Sequence, residues 1–269
     1  MELTEDDYGV QFETQVGYIT NYFDALSALR EEGVLVYDGD SVFTKLQDPS
    51  NVAMAISKIE GEGLDSINIG NQDLVREGLN FERANDFFSG VNSTNTAIIS
   101  YPVEEGGAHY MNIDILEEDV EFMCPLIDVS SVPQPPDMEP IVCDTQVSVP
   151  GSDFKKAIKH CMKVRTEKNT GAELKTEDNE FIIKSSDQVD GSVRKKFTAS
   201  GPDSQSTMQK KETVISLDYL DDIKNIIGSS DNVTVHIDDE YPVRIDVDLD
   251  DIGDAKIVYV IAPRLPEQA

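Results

Sequence analysis

The chain repeats itself, and a repeat limits a fold more than any single motif does. The segment "FETQV" at Phe12 to Val16 returns as "CDTQV" at Cys143 to Val147. Each copy is followed by a helical pattern and then by strands. A longer pair begins at Leu79 ("LNFERANDFFSGVNSTNTAIISYPVEEGGAHYMNIDI") and Ile215 ("ISLDYLDDIKNIIGSSDNVTVHIDDEYPVRIDVDL"). Both copies read helix, polar turn, strand, acidic turn, strand, and both close on an apolar strand, "VEFMCPLI" and "KIVYVIAPRL". A chain of 269 residues has the length of two ordinary domains. The expectation is an α+β protein of two similar domains, residues 1–127 and 143–269, each with two helices on antiparallel sheet.

Periodicity places the elements. Val16, Ile19, Phe23 and Leu26 keep the three-and-four spacing of a helix with one buried face, as do Phe154, Ala157, Ile158 and Cys161, and Leu217, Leu220, Ile223 and Ile227. Ser152 and Ser216 stand where N-caps belong, and Gly228 where the last helix should end. Alternating segments such as "VTVHI" and "VRIDVDL" read as strands. Between the domains, "DVSSVPQPPDMEPIV" (residues 128–142) carries four prolines. Proline lacks the ladder donor and favours extended chain, so this segment is a connector and not a central strand.

Composition narrows the function. The 52 acidic against 22 basic residues give a formal charge of -30, spread along the chain with apolar residues throughout, unlike a disordered acidic tail. Such a surface suits basic partners or, the favoured reading, solubility in multimolar salt. Cys124, Cys143 and Cys161 are odd in number and far apart, which is neither a disulfide framework nor a zinc site; buried free thiols in a reducing cytoplasm are expected. The sequence shows no secretory pattern and no membrane-length apolar run, so an intracellular, cytoplasmic protein without membrane partners is expected.

No P-loop, Gly-x-Ser-x-Gly or His-Glu-x-x-His occurs, and His109, His160 and His236 have no catalytic context. "DVDLDDIGD" from Asp246 imitates a calcium loop, but Asp251 stands where glycine is required and Ile257 where glutamate is required. No enzyme, metal or cofactor is expected. The triplets at Asn92 and Asn232 match the glycosylation pattern, a frequent chance match.

The helix "SDFKKAIKHCMKVRTEK" places Lys155, Lys159 and Lys163 at four-residue spacing, with Lys156 and Arg165 nearby, opposite its apolar face. In a chain poor in basic residues this stripe reads as a phosphate-facing surface.

The kink "DPSNVAM", the proline connector, "SLDYLDDIKNII", "EYPVRIDVDL" and "YVIAPRL" together resemble the sliding clamps of the proliferating-cell nuclear antigen (PCNA) type, most of all haloarchaeal ones. The resemblance runs from about Phe12 to Leu265. It implies the DNA-clamp fold in a ring-shaped homotrimer, helices lining a hole for double-stranded DNA, and a processivity factor that tethers a DNA polymerase and other enzymes, with a clamp loader as a further expected partner. Arg83 and Lys224, on the other helices, would join Lys155, Lys156, Lys159, Lys163 and Arg165 as DNA-facing residues. A pocket for partner peptides would have Asn51, Val52 and Met54 as its wall, Met138 and Ile141 above, and Pro242, Val260, Ala262 and Pro263 as its floor. Subunits would join edge to edge, with Glu117, Glu118, Asp119, Glu121 and Phe122 of one against Arg194, Lys195, Lys196 and Phe197 of the next.

Three chains of -30 would give a ring of about -90, which seats poorly on phosphate. At 1 M salt the screening length is only about 3 Å, so that repulsion fades, and counterion release loses its drive as well. A ring that encloses DNA is retained by topology. The alternative is an acidic clamp-fold protein that binds partners without encircling DNA, as a decoy or DNA mimic; a metal-dependent nuclease is a remote third.

Overall fold

The computed structural model describes residues 8–60, 64–70, 72–102, 109–136, 141–187, 191–198, 209–228, 230–249 and 254–264. Its contacts separate two compact units. Unit 1 comprises Met1–Gln47, Ala55–Pro135 and Asp251–Lys256; unit 2 comprises Asp48–Met54, Pro136–Asp250 and Ile257–Ala269. The main division thus falls between Pro135 and Pro136, inside the proline connector.

Unit 1 runs β1 (Tyr8–Gln15), α1 (Val16–Ser27), β2 (Glu32–Tyr37), β3 (Ser41–Gln47), β4 (Ala53–Glu60), β5 (Asp65–Asn68), β6 (Val75–Asn80), α2 (Phe81–Asp86), β7 (Thr96–Pro102), β8 (Tyr110–Ile115) and β9 (Val120–Pro125). Unit 2 runs β10 (Thr145–Pro150), α3 (Gly151–Cys161), β11 (Gly171–Glu177), β12 (Glu180–Asp187), β13 (Gly191–Thr198), β14 (Lys211–Ser216), α4 (Leu217–Ile226), β15 (Asn232–Ile237), β16 (Val243–Leu249) and β17 (Asp254–Ile261). Apart from β5 the two orders are the same. The longer repeat read from the sequence is a repeat of structure, with α2 and α4 each beginning two residues into it, and the α+β class holds. The short pair is out of register, because Val16 opens α1 whereas Val147 lies inside β10, four residues before α3.

In unit 1 the strands β5-β1-β7-β8-β9 form one antiparallel sheet, and β6-β2-β3-β4 follow one another in a second. In unit 2 the corresponding sets are β10-β15-β16-β17 and β13-β12-β11-β14. Strand β9 is the edge of the first, and β13 is the edge of the last.

The helices bury the faces that the spacing selects. In α1 these are Val16, Ile19, Tyr22, Phe23, Ala25 and Leu26, with Phe23 against Phe81 of α2 at 5.9 Å between ring centroids. In α3 Phe154, Ala157, Ile158 and Cys161 are buried, and in α4 Leu217, Leu220 and Ile223. Tyr37 and Tyr101 are wholly buried in unit 1 and join hydroxyl to hydroxyl at 2.6 Å, which meets the rule that a buried donor finds a partner.

Two helix starts rest on glycine. Gly17 donates its N–H to Ser93 O at 2.8 Å, and Gly151 donates to Asp231 O at 2.8 Å. Each thereby ties the first turn of one helix to the loop after the other. A Cβ on Gly151 would lie 2.7 Å from Gly228 O and 2.9 Å from Asp231 O, and one on Gly17 3.0 Å from Ser93 O. The approach leaves no room for a side chain at Gly151.

The capping expectation needs correction. Helix α3 begins one residue earlier than Ser152, with Pro150 as its N-cap residue, because the Gly151 amide is already held by Asp231. Ser216 is the N-cap residue of α4, but its side chain makes no capping bond; the Leu217 amide is satisfied instead by Thr170 O at 2.8 Å. Cys124 and Cys161 are buried free thiols, as expected, whereas Cys143 is half-buried.

Candidate clamp surfaces

The kink at the start of unit 2 is built by one carboxylate. Asp48, 4% exposed, accepts the N–H groups of Ser50 at 2.9 Å, Val52 at 2.7 Å and Ala53 at 2.6 Å, and the hydroxyl of Tyr219 from α4 at 2.6 Å. Burial alone would push this carboxyl up, but the bonds from Ala53, Tyr219, Ser50 and Val52 together hold it below the ordinary value. The Tyr219 hydroxyl is pushed up to about 12 by burial and by the Asp48 carboxylate it serves. Asn51 closes the turn with φ of 58°, a left-handed geometry that asparagine tolerates.

From this kink the chain reaches apolar residues. Met54, Ile141 and Val260 form one buried cluster with Cys143 and Val258 packed against it. The Val52 carbonyl accepts the Ala262 N–H at 2.8 Å, and Pro242 O lies 3.9 Å from the Cys143 thiol. Val52, Pro242, Ala262 and Pro263 are half-buried, and Asn51 is exposed. The structure therefore gathers Val52, Met54, Ile141, Pro242, Val260, Ala262 and Pro263, while Met138 lies outside the described residues. Beside Pro263 opens a cleft of about 680 Å³, lined in part by Val214, by the cations Lys168 and Arg264 and by the carboxylates Glu212, Asp239 and Glu240. The sequence reading omitted Asp48, Tyr219, Cys143 and Val258; the Asp-Pro-Ser-Asn string is the signal from which the first could have been found, since a turn aspartate commonly accepts backbone N–H groups just ahead of it.

The basic stripe divides in two. Lys159 and Lys163 are exposed, as is Arg83 on α2, and among the described residues none of the three has a carboxylate within ion-pair distance. The others are engaged. Lys155 donates to Ile227 O at 2.5 Å, at the C-terminal end of α4, where a cation complements the helix dipole. Arg165 holds Asp218 through two bonds of 2.6 and 2.9 Å, Lys224 bonds Asp221 at 2.5 Å, and Lys156 stands 3.5 Å from Asp153.

The two edge strands carry opposite signs. Glu117, Glu118 and Asp119 form the turn before β9, where Glu117 accepts the Thr96 N–H at 2.8 Å and Glu118 the Asn95 amide at 2.8 Å. Glu121 is exposed on the strand, and Phe122 is half-buried against Phe87 at 5.5 Å. Leu116 and Met123, absent from the sequence reading, are 53% and 60% exposed. On β13 Arg194 is exposed, Lys195 lies over the Phe197 ring at 5.4 Å, and Lys196 bonds Glu180 at 2.5 Å. Phe197 is only 8% exposed and stacks on Phe181 at 5.6 Å, so its ring is buried within its own unit instead of being offered to a neighbour.

No family profile matches the chain. Among curated proteins it is similar to the DNA polymerase sliding clamps of Methanocella arvoryzae, 23% identical over 91% of this chain and 94% of that protein. The Archaeoglobus fulgidus sliding clamp is 24% identical over 91% and 94%, and that of Natronomonas pharaonis 24% over 90% and 93%. Among solved structures, A. fulgidus PCNA bound to the C-terminal region of FEN-1 matches with a TM-score of 0.83 at 22% identity, covering 96% of this chain and all of that one. PCNA from Thermococcus kodakaraensis matches with a TM-score of 0.79 at 17% identity over 95% of this chain. The fold is that of a PCNA-type DNA clamp. The resemblance read from the sequence holds across nine-tenths of the chain.

Proposed function

We propose that the chain is a DNA sliding clamp, a non-catalytic processivity factor that closes as a homotrimer around duplex DNA and tethers a DNA polymerase and other enzymes. The observation that carries this is the match of fold over 96% of the chain, together with the apolar cluster of Met54, Ile141 and Val260 among the residues expected to form the peptide pocket. A matched clamp holds the C-terminal region of FEN-1, and a peptide with aliphatic and aromatic side chains suits a half-buried apolar surface of this kind. Loading by a dedicated loader and residence inside the cell follow from that reading. The spread of charge supports a surface suited to concentrated salt.

Closure would use β9 of one protomer against β13 of the next. Both are free edges within their sheets, opposite in sign, and an open edge is a template for pairing. Leu116 and Met123 supply the exposed apolar area there, while charge selects the partner. Lys159, Lys163 and Arg83 would be the principal phosphate contacts.

The test is mass in solution, by light scattering across salt concentrations, with polymerase processivity on primed DNA beside it. A mass about three times the monomer's 29.8 kDa with raised processivity is expected. Glutamates at Arg194, Lys195 and Lys196 should give folded monomers. A monomer at every salt concentration would replace this reading by the decoy one.

A further inference from the structure

Asp48 is unusual for a surface turn: a nearly fully buried carboxylate with four bonds, two to amides of one short loop, a third to the Ala53 amide that opens β4, and the fourth, from Tyr219, to a helix. Those amides belong to the segment that ends in Val52 and Met54, the wall of the proposed peptide pocket, whereas Tyr219 stands in the first turn of α4. The loop spans five residues from Asp48 to Val52 and includes a left-handed Asn51. Short polar turns of this kind open locally unless something outside them fixes their conformation.

Tyr219 supplies that fixed point. Its helix is anchored by the buried Leu217, Leu220 and Ile223 and by the two-bond grip of Arg165 on Asp218, the residue preceding Tyr219. A phenol bonded to a carboxylate is a charge-assisted bond, about twice as strong as a neutral one. Through Asp48 that bond reaches the Val52 and Ala53 amides. It therefore holds the Val52 carbonyl where Ala262 can donate to it at 2.8 Å, which fixes the distance between wall and floor.

We propose that Asp48 and Tyr219 are positioning residues for partner binding: the Tyr219–Asp48 bond sets the pocket wall against α4, so that a partner peptide meets a wall already in its bound conformation. The proposal rests on the peptide-pocket reading above. Pre-organisation of this sort raises affinity by removing the ordering cost from the binding step.

The experiment uses the full-length chain and a synthetic peptide of the C-terminal region of FEN-1, titrated by calorimetry, with amide hydrogen exchange read at Ser50, Val52 and Ala53. Tyr219→Phe should weaken peptide binding about tenfold, the effect of losing one charge-assisted bond, and speed exchange at those amides, with a fall in melting temperature of only a few degrees. Asp48→Asn should weaken binding by a similar factor, and the double variant by no more than the stronger single one, because both break the same link. Tyr37→Phe, which removes a hydroxyl buried in unit 1, should leave peptide affinity as it was and so separate positioning from general loss of stability. Ala262→Asp should abolish binding if the pocket is where the peptide docks. If Ala262→Asp abolishes binding while Tyr219→Phe retains affinity within about twofold, the positioning role is wrong and the pocket stands. If Ala262→Asp binds like the unaltered chain, both are wrong.

Discussion

Set side by side, α1 and α3 are the same element in two settings. Each follows the first strand of its unit, each has in its first turn a glycine whose N–H is held by a carbonyl from the loop after the other helix, and each buries one apolar face. Their outward faces differ. Helix α1 has no basic residue at all, and its Asp24 takes a bond from Asn85 of α2 at 2.5 Å; burial pushes that carboxyl up although the Asn85 bond opposes it. Helix α3 carries Lys155, Lys156 and Lys159, with Lys163 just beyond. The apolar spacing that makes the fold is repeated while the charge is not, so the fold leaves the outward face open to other demands.

The contrast breaks most visibly in binding to DNA. Replacing Lys159 and Lys163 by glutamate should lower polymerase processivity at low salt by more than about tenfold, and should flatten the salt dependence of DNA affinity by nearly two units, one per lost phosphate contact. Arg83→Glu, on the acidic pair of helices, should cost clearly less. Lys155→Met should leave the salt slope alone, because its ammonium serves the Ile227 carbonyl, and should show instead as a loss of stability. An Arg83 effect equal to that of the lysine pair would erase the difference between the units.

The glycines test the feature the units share. Ala at Gly151 would press its Cβ to within 3 Å of two backbone oxygens, Gly228 O and Asp231 O, neither of which can swing away. The expected cost is about 2–3 kcal/mol by urea unfolding. At Gly17 the nearest atom is Ser93 O at 3.0 Å, a few tenths of an ångström of relief suffices, and about 1 kcal/mol is expected. Equal costs would mean that the two starts are packed equally tightly, against the difference in these distances.

Much of this was legible from residue order. Spacing gave the helix faces because burial of apolar stripes is a local pattern, and the repeat gave two units because each copy carries the whole pattern. The stripe on α3 was legible as chemistry but not as availability: that Lys155 faces a helix end and Arg165 an aspartate depends on residues fifty or more positions away. Phe197 misled for the same reason. An aromatic residue on an edge strand reads as sticky until Phe181, on the neighbouring strand, is seen to cover it. Asp48 and Tyr219, 171 positions apart, leave no mark that sequence alone could join.

The smallest expected effect comes from a place where the units diverge inside. Four residues before the second helix, unit 1 has Glu77 and unit 2 has Thr213, a neutral side chain 4% exposed. Burial raises the Glu77 carboxyl from 4.5 to about 7, and its field reaches the Tyr37 and Tyr101 hydroxyls. A carboxyl that binds its proton more tightly in the folded than in the unfolded chain stabilises the fold fully below pH 4.5. That contribution declines as pH rises and is gone once pH exceeds about 7, so unit 1 should weaken across this window while unit 2, with threonine there, gains no such slope from that position. Because the side chain is only half-buried, solvent screening leaves about 1 kcal/mol of the effect. Glu77→Gln should therefore raise the melting temperature at pH 8 by a few degrees, leave it nearly unchanged at pH 4.5, and flatten the difference between the two. Calorimetric scans of the two chains at both pH values measure it, and a Gln variant that gains as much at the lower pH would show that burial of a polar group, not its proton, sets the cost.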